Sequence, residues 1–149
     1  MKSGAIHSIT PVFKELIKGN DELKTWISKY KNTSCFLKVD DEATQMAYRE
    51  IINWVYSPNS QFKEPAKNEF LSVADSWLIA KAISTNCSIV TLEKFDPNIK
   101  KKIKISNVCK IFDVAYIRKF STYRSVKINE AIKNINILWF LTVGYFYIM

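Results

Sequence analysis

The sequence predicts an α/β protein with a mostly parallel central sheet that is covered by helices on both faces. Three short apolar stretches, AIHSI (5–9), IVTL (89–92) and VAYI (114–117), lack the alternation of apolar and polar residues that marks a half-exposed strand. Strands without alternation are typical of parallel sheets that are buried on both faces. Longer stretches with helical spacing separate them, and alternating helices and strands indicate this fold class.

The remaining elements are predicted in order along the chain. Thr10 is a predicted N-cap with Pro11 at the first helical position, and this helix is expected to end near Gly19. Further helices are predicted over 21–30, over 40–56 with a break at 57–60, and as two short helices within 65–84. After strand 89–92 we expect a turn at FDPN (95–98), a strand at KIKI (102–105) and a short helix or turn at SNVCKIF (106–112).

The positive charge of the chain is concentrated in one segment. The 149 residues fit one domain and carry a net charge of +8. Residues 98–133 contain ten Lys or Arg and only two acids, and the rest of the chain is balanced. Such a segment suits a polyanion such as nucleic acid, although a solvated basic face would have the same composition. The candidate nucleic-acid-binding residues are Lys100, Lys101, Lys102 and Lys104.

Cysteine usage and the ends of the chain indicate a cytoplasmic protein. Cys35, Cys87 and Cys109 are odd in number and fit neither a CxxC pair nor a zinc-binding spacing. Unpaired cysteines favour a reducing compartment. The N-terminus shows no signal peptide, and the apolar run at 137–149 is shorter than the roughly 20 residues of a spanning helix. We therefore expect no membrane span.

Two carboxylates flank an otherwise apolar stretch, FLSVADSWLIAKAISTNCSIVTLE (70–93). Asp75 lies in the first turn of a predicted helix, and Glu93 directly follows the strand after that helix. Since the helix runs antiparallel to the strand and both span roughly 17 Å, the two acids should meet at the carboxyl edge of the sheet. Glu15, on the helix after strand 5–9, should reach the same edge.

Three converging acids point to a divalent cation. Clustered carboxylates repel one another, and a hard cation such as Mg²⁺ or Mn²⁺, which prefers oxygen ligands, removes that cost. A bound cation of this kind can activate water and neutralise a phosphate. Simpler interpretations also fit: Asp75 at the positive end of its helix, Glu93 as a solvated loop residue, and Glu15 paired with a lysine. Asp96 is expected to form the turn at 95–98.

Several stretches taken in order resemble a known family. GAIHSITPVFKEL, NDELKTW, INWV, FLSVADSWLIAKA, IVTLE and KIKISNVC are similar to PIN-like proteins, short prokaryotic chains filed as a domain of unknown function and related to VapC-type toxins. The similarity runs from about Gly4 to about Ile117. It implies a three-layer α/β/α fold and a Mg²⁺- or Mn²⁺-dependent ribonuclease. The residues that match its metal-binding and catalytic acids are Glu15, Asp75 and Glu93.

The chain departs from this family pattern in three places. PIN-like proteins begin with a central strand that ends in an aspartate, whereas no Asp precedes Glu15 here. The family's IPDVC-like stretch reads ISNVC, with Ser106 for the proline and Asn107 for the acid. The tail fits nothing expected of the family. We therefore expect a PIN-like domain at 1–133 that is truncated at its N-terminus and an apolar tail at 134–149, with 137–149 filling the place of the missing strand.

The sequence is compatible with two alternative functions, one catalytic and one not. The first is a ribonuclease that cleaves RNA phosphodiesters, the toxin of a toxin–antitoxin pair, with RNA, a cognate antitoxin protein and a second copy of the chain as expected partners. The second is a non-catalytic remnant of the fold that binds RNA or a partner protein, which the missing aspartate favours. Whether the chain is an enzyme is open at this point.

Overall fold

The structure, a computed structural model, describes residues 6–19, 22–31, 34–118 and 146–148 and has a mixed α/β fold, as predicted. The strands are β1 (Ile6–Ile9), β2 (Phe36–Leu37), β3 (Ser88–Thr91), β4 (Tyr116–Arg118) and β5 (Phe146–Ile148). The helices are α1 (Thr10–Leu16), α2 (Glu22–Ser28), α3 (Glu42–Val55), α4 (Glu64–Ser72), α5 (Ala74–Thr85) and α6 (Ile105–Ile111). Within the described ranges, no helix is long and apolar enough to cross a membrane.

The five strands form one sheet in the order β2-β1-β5-β3-β4. β1 pairs with β2 in parallel, and β3 pairs with β4 in parallel. β5 is antiparallel to both β1 and β3, so the other four strands all run in one direction. The predicted mostly parallel sheet is therefore confirmed, and its antiparallel member is the central strand.

The central strand comes from the apolar tail. In β5, Tyr147 lies opposite His7 of β1 on one side and opposite Ile89 of β3 on the other. The expectation that the tail enters the sheet is confirmed for Phe146–Ile148. The rest of the tail and the second half of the basic segment, at 119–145 and 149, lie outside the described residues. Because 137–149 contains no Asp or Glu, this strand brings no carboxylate to the sheet edge.

Helix α5 lies at the centre of the core and is buried along most of its length. Leu78 and Ile79 of α5 are fully buried together with Ile51 of α3 and Ile89 of β3. Tyr48 of α3 and Trp77 of α5 stack with ring centroids 3.6 Å apart and planes 6° from parallel. The helix ends at Thr85, and the left-handed backbone conformation of the following residue, Asn86 (φ 52°), turns the chain toward β3. This packing holds the N-terminus of α5 in a defined place relative to the sheet.

An ion pair links the start of α3 to α5. Asp41 is the N-cap of α3 and accepts a hydrogen bond from the Thr44 backbone N–H at 3.0 Å. Lys81 Nζ of α5 lies 2.6 Å from Asp41 Oδ2. The hydrogen bond from Lys81, supported by those from Thr44, lowers the pKa of Asp41 from 3.8 to about 2. The ammonium group of the largely buried Lys81 is therefore paired.

Three local predictions were wrong, and in the first two a tertiary contact decides the structure. Thr10 is not an N-cap; its hydroxyl donates to the Leu37 carbonyl at 3.0 Å and fastens α1 to β2. KIKI is not a strand, since α6 begins at Ile105 and Glu93 accepts a hydrogen bond from the Ile105 backbone N–H. The first helix ends at Leu16 rather than near Gly19. Strand β2, only two residues long, was not predicted.

Candidate functional site

Asp75 lies in the first turn of α5 and is almost completely buried, with 8% of its surface exposed. The N-cap residue Val73 supplies no side-chain hydrogen bond to this helix. A carboxylate is favoured near the positive end of a helix. The Asp75 carboxylate nevertheless makes no hydrogen bond to any residue in the described part of the chain. The carboxylate oxygens are not fully enclosed, since the fully buried side-chain atoms without a partner among the described residues are Ser60 Oγ and Ser106 Oγ. A largely buried acid without a protein partner is nevertheless costly, which the helix dipole alone does not explain.

Glu15 reaches the same helix end from α1. The backbone N–H of Ala74, the first residue of α5, donates to Glu15 Oε1 at 2.7 Å. Glu15 therefore satisfies one of the N–H groups that are left unpaired at a helix N-terminus, although it lies 59 residues away in sequence. This contact places the Glu15 carboxylate beside Asp75, as the sheet-edge argument predicted.

Glu93 follows β3 and has both carboxylate oxygens engaged. Oε2 accepts a hydrogen bond from the Ile105 backbone N–H at 2.6 Å, and Oε1 lies 3.2 Å from Lys102 Nζ. Its own backbone N–H donates to Thr91 Oγ1 at 3.1 Å. The side chain is 14% exposed, whereas that of Lys102 is 50% exposed. Glu93 thus caps the start of α6 and holds a lysine from the basic segment.

A pocket of about 210 Å³ lies at this place. Its polar lining consists of Glu15, Glu69, Asp75 and Lys102, and its apolar lining of Ala66, Phe70, Val73 and Ile103. Glu93 is not among the lining residues, although it contacts Lys102. Glu69 was not predicted from the sequence. The sequence could have indicated Glu69, because an acid in the last turn of α4 is unfavourable next to the negative end of the helix dipole and needs another reason to be there.

The negative charges of the neighbouring acids act on Asp75. The pKa of Asp75 is raised from 3.8 to about 7, first by burial and then by the negative charges of Glu93 and Glu15, while Lys102 lowers it. Glu69 adds a smaller rise. The three acids predicted from the sequence are therefore close enough to interact. Burial, followed by Glu93, also raises the pKa of the Cys109 thiol to about 12, which excludes a thiolate nucleophile there.

These residues fit a divalent cation held by two carboxylates better than one held by three. Among the residues that the structure describes, no three His, Cys, Asp or Glu side chains are grouped as a ready metal cage. Asp75 and Glu15 nonetheless line one pocket, and Asp75 has no other partner there. Mg²⁺ is commonly held by one or two carboxylates, with waters and a substrate phosphate completing its shell. Ligation by Glu15, Asp75 and Glu93 together stays a prediction.

The four candidate lysines differ in their surroundings. Lys100 and Lys101 are exposed, and Lys102 pairs with Glu93. Lys104 Nζ donates to the Lys94 carbonyl at 3.2 Å. Their role in binding nucleic acid stays a prediction.

Asn107, in the position where the family resemblance implies an acid, clamps a loop. Its Oδ1 accepts from the Asp96 backbone N–H at 3.2 Å, and its Nδ2 donates to the Asp96 carbonyl at 2.7 Å. Asp96 Oδ1 in turn accepts from the Asn98 backbone N–H, which confirms the predicted turn. A carboxylate at 107 would lack the donor for the Asp96 carbonyl, so here the amide has a structural use.

Replacing Glu15 tests whether its hydrogen bond to Ala74 stabilises α5. We expect Glu15→Ala to lower the free energy of unfolding by about 1 kcal/mol, the usual effect of removing a helix cap. Glu15→Gln keeps an oxygen acceptor and removes a negative charge beside Asp75, so it should lower stability less. Urea denaturation of the three proteins at pH 7 measures this difference. Equal losses in the two variants would show that the hydrogen bond to Ala74 contributes nothing.

Comparison with known proteins identifies a family. The family model of the domain of unknown function DUF4411 matches residues 1–130. No curated protein and no solved structure is significantly similar to the chain. The match covers both the sheet-edge acids and the four candidate lysines, and it leaves out the tail that forms β5. The chain belongs to the DUF4411 family.

Proposed function

We propose that this chain is a PIN-like, Mg²⁺- or Mn²⁺-dependent ribonuclease that hydrolyses RNA phosphodiester bonds. The observation that carries the proposal is Asp75, buried without a hydrogen-bond partner in the described part of the chain, in a pocket shared with Glu15, Glu69 and Lys102. An acid with a raised pKa in a pocket is typical of a functional site rather than of a structural one. The lysine segment beside the pocket supplies positive charge for an RNA backbone.

The sheet has a strand in the central position that the PIN-like resemblance implies, although this strand is antiparallel to its neighbours. The resemblance implies a central first strand that ends in an aspartate. Here β5 from the tail takes the central position between β1 and β3, and the tail carries no acid. The cation would therefore be held without that aspartate.

The roles of the residues follow from their positions. Asp75 and Glu15 would hold the cation, and the Ala74 N–H keeps Glu15 oriented toward it. A bound cation supplies an activated water and neutralises charge on the phosphate. Lys100, Lys101 and Lys102 would bind the RNA backbone, and Phe70 and Ile103 belong to the apolar lining of the pocket. Water adds to phosphorus and loses a proton, the P–O bond to the leaving ribose oxygen breaks, and that oxygen takes up a proton from solvent.

Cleavage of a labelled single-stranded RNA with Mn²⁺ tests this proposal. We expect Asp75→Asn to reduce the rate at least about 100-fold, because it removes the buried charge that holds the cation. Asp113→Asn, the same change at an exposed residue, is the matched control and should cleave like the unaltered protein. Equal rates for Asp75→Asn and the unaltered protein would remove Asp75 from the mechanism.

A non-catalytic RNA-binding module is the second candidate. The observation that favours it is Glu93, whose two oxygens are already bound by Lys102 and the Ile105 N–H. RNA binding that survives EDTA, without any cleavage, would support this candidate. A role as the toxin of a toxin–antitoxin pair, with an antitoxin protein as partner, belongs to the ribonuclease proposal. Homodimerisation stays a prediction.

A further inference from the structure

Lys102 is the one residue of the predicted lysine set that faces both the acidic pocket and Glu93. Its side chain lines the pocket together with Asp75 and Glu15, while its Nζ lies 3.2 Å from Glu93 Oε1. Its positive charge opposes the rise in the pKa of Asp75. The positive charge of Lys102 therefore lies close to the place where a divalent cation would bind.

The backbone around Lys102 is held in place. The Ile99 carbonyl accepts from Gln61 Nε2, and the Lys100 carbonyl accepts from the Lys63 backbone N–H, both at 3.0 Å. On the other side, Lys104 is anchored to the Lys94 carbonyl. A movement of Lys102 is thus a movement of its side chain, which does not require the segment to unfold.

The ion pair of Lys102 is easily exchanged. The lysine side chain is half exposed, and solvent-exposed ion pairs contribute little to stability. Lys100 and Lys101, which directly precede it, are exposed and offer charge to a polyanion at the same place. A phosphate group bound there would offer Lys102 a full negative charge in exchange for Glu93.

We propose that Lys102 couples RNA binding to cation binding. In the free protein Lys102 neutralises Glu93 and weakens the attraction of the site for a divalent cation. When an RNA phosphate binds Lys102, Glu93 Oε1 is released and its charge becomes available to the cation. This inference rests on the proposed function. It adds a contact, between Lys102 and Glu93, that keeps the affinity of the site for the cation low until RNA is bound. By linkage, the cation must strengthen RNA binding by the same factor.

Calorimetric titration of Mn²⁺ tests the coupling without any activity measurement. A short phosphorothioate RNA serves as a hydrolysis-resistant probe. For the unaltered protein, we expect this RNA to tighten Mn²⁺ binding roughly ten-fold, within the usual range of coupling between sites. Lys102→Met should bind Mn²⁺ roughly ten-fold more tightly without RNA, with little further gain when RNA is added. Lys102→Arg, which keeps the charge, should restore the coupling.

Lys101→Met is the matched control, since it removes the same charge from the adjacent, exposed lysine. We expect it to weaken RNA binding and to preserve the coupling between RNA and Mn²⁺. Equal Mn²⁺ affinities of Lys102→Met and Lys101→Met would overturn the inference. Failure of every variant to bind Mn²⁺ would overturn the cation site and the inference with it. The expected Mn²⁺ results without RNA cleavage would refute the ribonuclease and leave the coupling in place.

Discussion

Asp75→Asn is expected to make the protein more stable, by up to about 4 kcal/mol at pH 8. Burial and the neighbouring acids raise the pKa of Asp75 from 3.8 to about 7, so the folded state holds its proton more tightly than the unfolded state does. Each pKa unit corresponds to about 1.4 kcal/mol. A rise of this size therefore lowers stability by about 4 kcal/mol once the carboxyl is ionised in both states.

The pH dependence of folding stability shows why replacing Asp75 should stabilise the protein. Below pH 3.8 the carboxyl is protonated in both states and has no cost. Between pH 3.8 and about 7 the unfolded state loses the proton first, so stability falls as the pH rises. Above about pH 7 the cost is constant. Asparagine has no such titration, so the stability gap between Asp75→Asn and the unaltered protein should widen by about 2.6 kcal/mol between pH 5 and pH 8.

Urea denaturation at pH 5 and pH 8, without divalent cations, measures this gap. Asp113→Asn makes the same change at an exposed residue and should leave the pH dependence of the protein in place. Added Mn²⁺ should stabilise the unaltered protein at pH 8 and have little effect on Asp75→Asn, because a ligand that binds only the folded state raises stability. A gap that stays constant with pH would show that Asp75 is not held at a raised pKa.

A gain in stability from removing an acid is informative about function. Residues that lower stability and make no compensating contact are typical of sites that need their charge for binding or chemistry. Glu15 and Glu93 differ from Asp75 in this respect, because each has a backbone N–H as a hydrogen-bond partner. Asp75 is therefore the residue of the site that lowers the stability of the folded protein most.

The acids at the sheet edge could be predicted because the geometry of a parallel sheet is regular. A helix that precedes a strand begins where that strand ends, so Asp75 and Glu93 had to approach one another. Their partners could not be predicted in the same way. Lys102 and the Ile105 N–H reach Glu93 through the path of a loop. Glu93 thereby starts a helix at Ile105, the last residue of the predicted KIKI strand.

The strands differ in the same way: those with a clear apolar run could be predicted from the sequence, and the others could not. Strand β3 was visible as an apolar run because three of its four residues are buried. Strands β1 and β4 were also visible as apolar runs, although Tyr116 and Ile117 of the edge strand β4 are only partly buried. β2 has only two residues, too few for any periodicity. The place of the tail in the sheet was inferred because the fold would otherwise lack the central first strand of the PIN-like pattern.

Tyr147→Pro in the central strand is expected to destabilise the protein strongly. Tyr147 is paired with His7 on one side and Ile89 on the other, so β5 joins the two halves of the sheet. Proline removes a backbone N–H and is almost never tolerated in a central strand. Leaving a buried carbonyl without its donor costs about 1 to 3 kcal/mol, and the loss of pairing along β5 adds to this.

Tyr147→Ala is the matched control, because it removes the same side chain and keeps the backbone N–H. The free energy of unfolding from urea denaturation should be lower for Tyr147→Pro than for Tyr147→Ala by at least about 2 kcal/mol. Because the sheet edge positions Glu15 beside α5 and Glu93 beside α6, Tyr147→Pro should also weaken Mn²⁺ binding. Equal stability of the two variants would mean that the tail does not pair between β1 and β3 in solution. The acids at the sheet edge would then have to be positioned by the helices alone.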